Sequence, residues 1–170
     1  QGAEGFTPDG RLLYFERQPG AGAVRLFISP LSGAEATPLF EPRFTYTNAR
    51  FSPDATWLAY VSDESGALDV SVVRWPLSHG RMRVSTTGGS PPRWSRDGRT
   101  LLFLSDAGLF SVPMTTAGPG KTSLVLARER IGRWSEFEIA QDGRFLAVVG
   151  EAVAGQQPLT VVVNWMSRLP

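Results

Sequence analysis

An all-β fold made of repeated strand units is the class this sequence predicts, on three observations. A phrase recurs four times: Phe6-Thr-Pro-Asp-Gly10, Phe51-Ser-Pro-Asp-Ala55, Trp94-Ser-Arg-Asp-Gly98 and Ile139-Ala-Gln-Asp-Gly143 begin 45, 43 and 45 residues apart. A fixed period of this length marks a repeat architecture. Each phrase leads into a short run that is apolar at successive rather than alternate positions, as in strands covered on both faces. Glycines and prolines bracket every run, which leaves no room for a helix. Units of about 43–45 residues with four short antiparallel strands are blades of a β-propeller. An immunoglobulin-like sandwich would show alternation along its strands and no such period.

Each unit has the same grammar: a large apolar residue, a small or hydroxyl residue, a turn built on Asp-Gly, then a strand. Pro8 and Pro53 preset φ at the first central turn position, and Gly10, Gly98 and Gly143 accept positive φ after the aspartate. This is hairpin chemistry. Ala55 stands where the other units have glycine, and a left-handed backbone there would cost about 1 kcal/mol. The strands that follow are Leu12–Phe15, Trp57–Val61, Leu101–Leu104 and Phe145–Val149. Third strands are expected at Val24–Ile28, Leu68–Val73, Gly108–Val112 and Leu159–Val163, and more polar outer strands at Ala36–Phe40, Met82–Thr86 and Ser123–Ala127. The last unit lacks an outer strand. The chain thus reads as one domain of four repeats, approximately 1–47, 48–90, 91–135 and 136–170, long enough to bury a real core.

Charge and composition exclude several roles. The net charge is +1 with no long run of like sign, so no global field would hold the chain on nucleic acid or an anionic membrane. Lys121 is the sole lysine, and the arginines are scattered. Cysteine is absent and His79 is the only histidine, which removes disulfides, thiolate metal sites and any zinc site with two histidines. The apolar stretch Leu159–Met166 is too short to span a bilayer. No N-terminal stretch reads as a signal peptide, and a start at Gln1 reads as a processed product or a piece of something longer.

The phrases NARFSPDATWLAYVSDESG, GGSPPRWSRDGRTLLFLSD and PLTVVVNWMSRL resemble TolB-type, WD-repeat-like propellers, above all those at the C-terminal end of some bacterial serine/threonine kinases. The resemblance covers nearly the whole chain, and LTVVVNW is its most specific part. The blade motif also occurs in periplasmic TolB and in the propellers of prolyl-oligopeptidase-like enzymes. The chain departs from the pattern at Ala55, Arg96 and Gln141, and no phosphate-binding lobe or catalytic loop is present, so kinase activity does not transfer. Propellers of this kind have six to eight blades, which implies that four repeats are part of a larger ring, or are completed by dimerisation, or close tightly as four.

Four features invite chemistry. Gly118-Pro-Gly-Lys-Thr-Ser123 evokes a phosphate loop, but Thr115 replaces the required glycine and a strand-like SLVLA follows where a helix is needed; a surface hairpin is expected. Ser62–Gly66 and Ser105–Gly108 are acidic turns, too poor in oxygens for calcium, and read as self-capping. His79 falls in a loop with no G-x-S-x-G serine to serve. Arg50, Arg93 and Glu138 occupy one position in three repeats. There they either converge on an axial ligand such as a carboxylate, a phosphate or an acidic partner loop, or pair across blade boundaries, for instance with a turn aspartate.

Trp75 and Trp134 fall outside the expected core strands, and Arg74-Trp75 and Arg133-Trp134 are candidate partner-binding anchors. The expected function is a non-catalytic module for a protein partner or small ligand, with no cofactor, metal, nucleic acid or membrane insertion. By resemblance it is the C-terminal sensory region of a larger bacterial protein, extracytoplasmic, with a homodimer as one way to complete the ring. The alternatives are the gating propeller of a serine peptidase and a lyase or hydrolase working inside the channel.

Overall fold

Four antiparallel sheets follow one another along the chain. The computed structural model describes residues 1–18, 20, 22–77, 80–131, 134–140, 144–149 and 159–162. The first sheet sets β1 (Gly2–Phe6), β2 (Leu12–Arg17), β3 (Val24–Ser29) and β4 (Thr37–Pro38) side by side in chain order. The second repeats this with β5 (Tyr46–Phe51), β6 (Trp57–Ser62), β7 (Asp69–Arg74) and β8 (Met82–Arg83). In the third, β9 (Arg93–Trp94), β10 (Thr100–Ser105) and β11 (Gly108–Thr115) are joined by a short arm, β12 (Gly118–Pro119), and by an outer strand, β13 (Ser123–Ala127). A single helical turn, α1 (Arg128–Ile131), leads to the fourth sheet of β14 (Trp134–Ile139), β15 (Phe145–Val149) and β16 (Leu159–Val162), three strands among the described residues. Successive neighbouring strands in each sheet make the blades of a β-propeller.

The recurring phrase is a self-capped turn. The Ser52 and Ser95 hydroxyls donate to Asp54 at 2.6 Å and Asp97 at 2.7 Å, and Thr7 does the same to Asp9. The same hydroxyls accept the amides of Arg11, Trp57 and Thr100, each at 2.9 Å. One hydroxyl–carboxylate pair therefore satisfies the backbone where the chain enters the second strand. The turns differ in length: Thr7 N–H reaches Arg11 O, whereas Ser52 and Ser95 reach one residue further, to Trp57 and Thr100. Spatial equivalence is consequently Leu12, Leu58, Leu101 and Phe145, which pair with Phe6, Phe51, Trp94 and Ile139. Counting from the sequence period alone would have matched Leu12 with Trp57.

Three apolar clusters lie between consecutive sheets. Leu13, Leu26 and Ile28 of the first sheet meet Phe51, Leu58 and Tyr60 of the second. Ala59, Val61, Val70 and Val72 of the second meet Trp94, Leu101 and Phe103 of the third. Leu102, Leu104 and Leu109 of the third meet Phe137, Ile139, Phe145 and Ala147 of the fourth. Each blade thus has a leading face toward its predecessor and a trailing face toward its successor. In the second blade both are covered, and all six residues of β6 are buried. The first sheet departs from the expectation of two covered faces: β3 alternates, with Val24, Leu26 and Ile28 buried, and among the described residues only its face toward the second sheet is packed.

Two of the outer strands are shorter than the sequence suggests, while β13 spans Ser123–Ala127 as expected. β4 and β8 are two residues each; beyond β4 the Leu39 N–H still donates to Leu26 O at 2.8 Å, and Leu39 and Phe40 bury their side chains in the first core cluster. Gly118-Pro119 forms the arm β12 against Met114 and Thr115, with Gly120 N–H donating to Pro113 O at 2.7 Å. This segment is a hairpin followed by strand β13, not a phosphate loop.

Candidate functional site

The inner strands carry the charges singled out by the repeat. Register shifts between Ala3 and Gly5, Thr47 and Arg50, and Trp134 and Glu136 place an irregularity in β1, β5 and β14. Bulges of this kind re-aim side chains. In β1 the bulged residue is Glu4, whose side chain is only 4% exposed and pairs with Arg50 Nη1 at 2.6 Å. The other Glu4 oxygen accepts the amide of Asn48 at 2.8 Å, and Arg50 also donates to Glu4 O at 2.7 Å and Ala49 O at 2.8 Å. Asn48 holds a left-handed φ of 53°, and its side-chain amide donates to Ser90 at 3.1 Å. The first, second and third repeats are tied together at this point.

The next links follow the same logic. Trp94 Nε1 donates to Arg50 O at 2.9 Å, and Arg93 Nε donates to Glu138 at 2.7 Å. The structure therefore brings Arg93 and Glu138 together but gives Arg50 a different carboxylate, Glu4. Partners come from neighbouring inner strands and not from turn aspartates. Glu4, between Ala3 and Gly5, and Asn48, between Thr47 and Ala49, carried no sequence signal, because a bulge breaks the period that exposed the other positions.

A groove of about 460 Å³ opens between the second and third sheets on the turn side, lined by Asp54, Trp57, Arg74, Asp97, Arg99 and Thr115 among others. Arg74 lies over the Trp57 ring, its guanidinium carbon 4.7 Å from the centroid, a cation–π contact that fixes the charge in place. Hydrogen bonds from Ser52 to Asp54 and from Ser95 to Asp97 lead the causes that hold both carboxyls below their usual range, so both stay ionised at neutral pH. Trp75, beside Arg74, is half-buried and meets Phe51 edge-on at 5.0 Å between centroids. Trp134 opens strand β14, a correction to its expected place outside the strands. There its backbone pairs with Val149 in the β14–β15 ladder. Arg133 and His79 lie outside the described residues.

The carboxylates of the first acidic turn are taken up from the neighbouring strand β5 and the residue before it, a correction to the self-capping expected of them, whereas in the second the Ser105 hydroxyl accepts the Ala107 amide at 3.2 Å. Asp63 accepts the Thr45 amide at 2.8 Å. Glu64 accepts the Tyr46 hydroxyl at 2.6 Å and pairs with Arg81, which lies over the Phe40 ring at 4.8 Å. Burial, then the bond to Glu64, push the Tyr46 phenol up to about 12. Asp69 is buried, which opposes its ionisation. Hydrogen bonds from Ser65, Ser85 and the Gly88 amide, with Arg83 nearby, nevertheless hold its carboxyl below the usual range. Among the described residues no three acidic or histidine side chains are grouped to hold a metal ion.

The architecture is shared with solved propellers. A TolB-type protein from Agrobacterium tumefaciens superposes with a TM-score of 0.55 at 19% identity, over 71% of this chain and 47% of that one. The tricorn protease gives 0.61 at 15% identity, over 91% of this chain and 15% of that one. A gluconolactonase from Xanthomonas campestris gives 0.60 at 18% identity, over 85% and 52%. The chain spans about half the length, or less, of these proteins. Identities at this level establish the fold alone, a TolB-like β-propeller. No family model matches the chain, and no curated protein matches it significantly in sequence.

Proposed function

We propose that this chain is a non-catalytic propeller module that binds a protein segment or small ligand. In this reading it is the C-terminal sensory or scaffolding part of a larger bacterial protein, such as a serine/threonine kinase, working outside the cytoplasmic membrane. The observation that supports it is the groove between the second and third sheets. Its charges are held in advance of any ligand, Arg74 by stacking on Trp57 and Asp54 and Asp97 by their serine partners, and preorganised polar groups lose little entropy on binding. The inner-strand charges, by contrast, are spent on one another across blade boundaries. The groove's mixed sign suits a peptide that carries both an acidic and a basic side chain.

Titration calorimetry with short peptides of that composition tests the reading. Saturable binding is expected, weakened about tenfold by Arg74→Ala, equivalent to about 1.4 kcal/mol. A sugar lactone should not be turned over. Its turnover would replace the binding role with an enzymatic one, and binding that ignores Arg74→Ala would remove the groove as the site.

A further inference from the structure

A second polar pocket lies on the face of the second blade that meets the first, beside the β6–β7 turn and the outer strand β8. It encloses about 180 Å³ and is lined by Ser62, Asp69, Ser71, Arg81 and Arg83 among others. The ladder explains why they meet. Ser62 stands opposite Asp69, and Ser71 stands opposite Tyr60 on one side and Arg83 on the other. Opposed residues share a face, and Tyr60 belongs to the cluster formed with the first sheet. This polar row is therefore the outward continuation of the leading face, where the apolar packing stops.

The carboxylates of the pocket are committed. Glu64 in its wall takes the Tyr46 hydroxyl and Arg81, and Asp69 takes Ser65 at 2.6 Å, Ser85 at 2.7 Å and the Gly88 amide at 3.1 Å. Two donors are not. Arg83 is half-exposed and reaches Asp69 only at 3.4 Å, beyond the usual range of a charged hydrogen bond. The Tyr60 hydroxyl is buried and finds no acceptor among the described residues, which leaves its desolvation uncompensated. Its ring is held by Phe40 at 4.7 Å and Tyr46 at 6.0 Å between centroids. Burial, then the charge of Glu64, push the phenol well above its ordinary range, so it stays a donor at neutral pH. Ser71 stands between this hydroxyl and the pocket. A ligand acceptor that draws the Ser71 O–H outward frees a Ser71 lone pair to accept from Tyr60.

We propose that this pocket binds a small monocarboxylate that carries hydroxyl groups, its carboxylate paired with Arg83 and a ligand oxygen held by Ser71 with Tyr60 behind it. A guanidinium with unspent donors suits a carboxylate. Two arginines and two carboxylates leave the pocket neutral, which favours a singly charged ligand over a phosphate dianion. The volume lies below the roughly 300–1,000 Å³ of sites for drug-sized ligands, so the occupant is small, and the Ser62 and Ser71 hydroxyls on the walls can exchange hydrogen bonds with its own. This is a second site: it rests neither on the groove between the second and third sheets nor on how the ring of blades is completed.

An NMR titration of the chain with glycerate, followed through the backbone amides, is the test. Saturable shifts are expected at Ser71, Arg83 and their neighbours, and none by tens of millimolar would sink the proposal. Glycerol and inorganic phosphate should leave these amides in place; either one moving them as strongly as glycerate would overturn the carboxylate assignment. Arg83→Gln should weaken glycerate about tenfold, while Arg74→Ala should leave it unchanged. The reverse pattern would put the ligand in the groove and remove the second site. Tyr60→Phe keeps the ring packing and serves as the second variant. It should weaken glycerate binding without lowering the melting temperature of the ligand-free chain, because the hydroxyl it removes is unpaired there. A lower melting temperature would show that the fold already satisfies this hydroxyl, and would overturn its part in the site.

Discussion

Ala55 holds φ at 60°, in the region where Gly10 and Gly98 sit at 83° and 70° in the equivalent turns. A Cβ in this conformation crowds the following carbonyl. The surrounding hydrogen bonds force it regardless: Ala55 N–H donates to Ser52 O at 2.8 Å and Thr56 donates to Asp54. Ala55→Gly should therefore raise the stability of the chain by about 1 kcal/mol, offset in part by the greater freedom of glycine in the unfolded state. Urea unfolding would read this as a higher midpoint at unchanged slope, and a lower midpoint would mean that the strain is not real. The aspartate, the hydroxyl and the glycine of this turn were legible in the sequence because their chemistry is local. The placement of Trp75 was not, since its partner Phe51 lies far off in the chain.

Strands show the same division. Every second strand was identifiable from its apolar run, and β6 and β10 are buried as that run implies. What escaped were events that break the period: the bulge at Glu4, the irregularity around Asn48, and the extra residue in two of the turns. Each shifts which face a residue takes, so the Glu4–Arg50 pair could not be read from spacing. The outer strand of the third blade has its own constraint. Gly108 pairs with Ala127 beside a register shift, and a Cβ on it would lie 2.1 Å from the Leu126 carbonyl oxygen, at a φ of 138°. Backbone cannot yield as a side chain can, so Gly108→Ala should destabilise by about 2–3 kcal/mol. A thermal melt of the variant indistinguishable from the parent would show that β13 can detach without loss.

At the scale of the whole molecule, stability in a repeat array is the sum of each unit and its junctions. The second and third blades are each packed on both faces, while the first and fourth each have one junction among the described residues. Hydrogen exchange should consequently be slowest in β6, β7 and β10 and faster in β2, β3 and β15. Uniform protection across all six strands would contradict a graded array. The inner strands add a second gradient at right angles to the first. They are cross-linked by Glu4–Arg50, Asn48–Ser90, Trp94–Arg50 and Arg93–Glu138, whereas β4 and β8 hold on by two residues apiece. Tolerance of sequence change should then rise with distance from the hub. Long insertions can be absorbed at the rim after β3, where Pro30–Ala36 already runs as exposed connection, while a single added residue near Asn48 would throw three blades out of alignment at once.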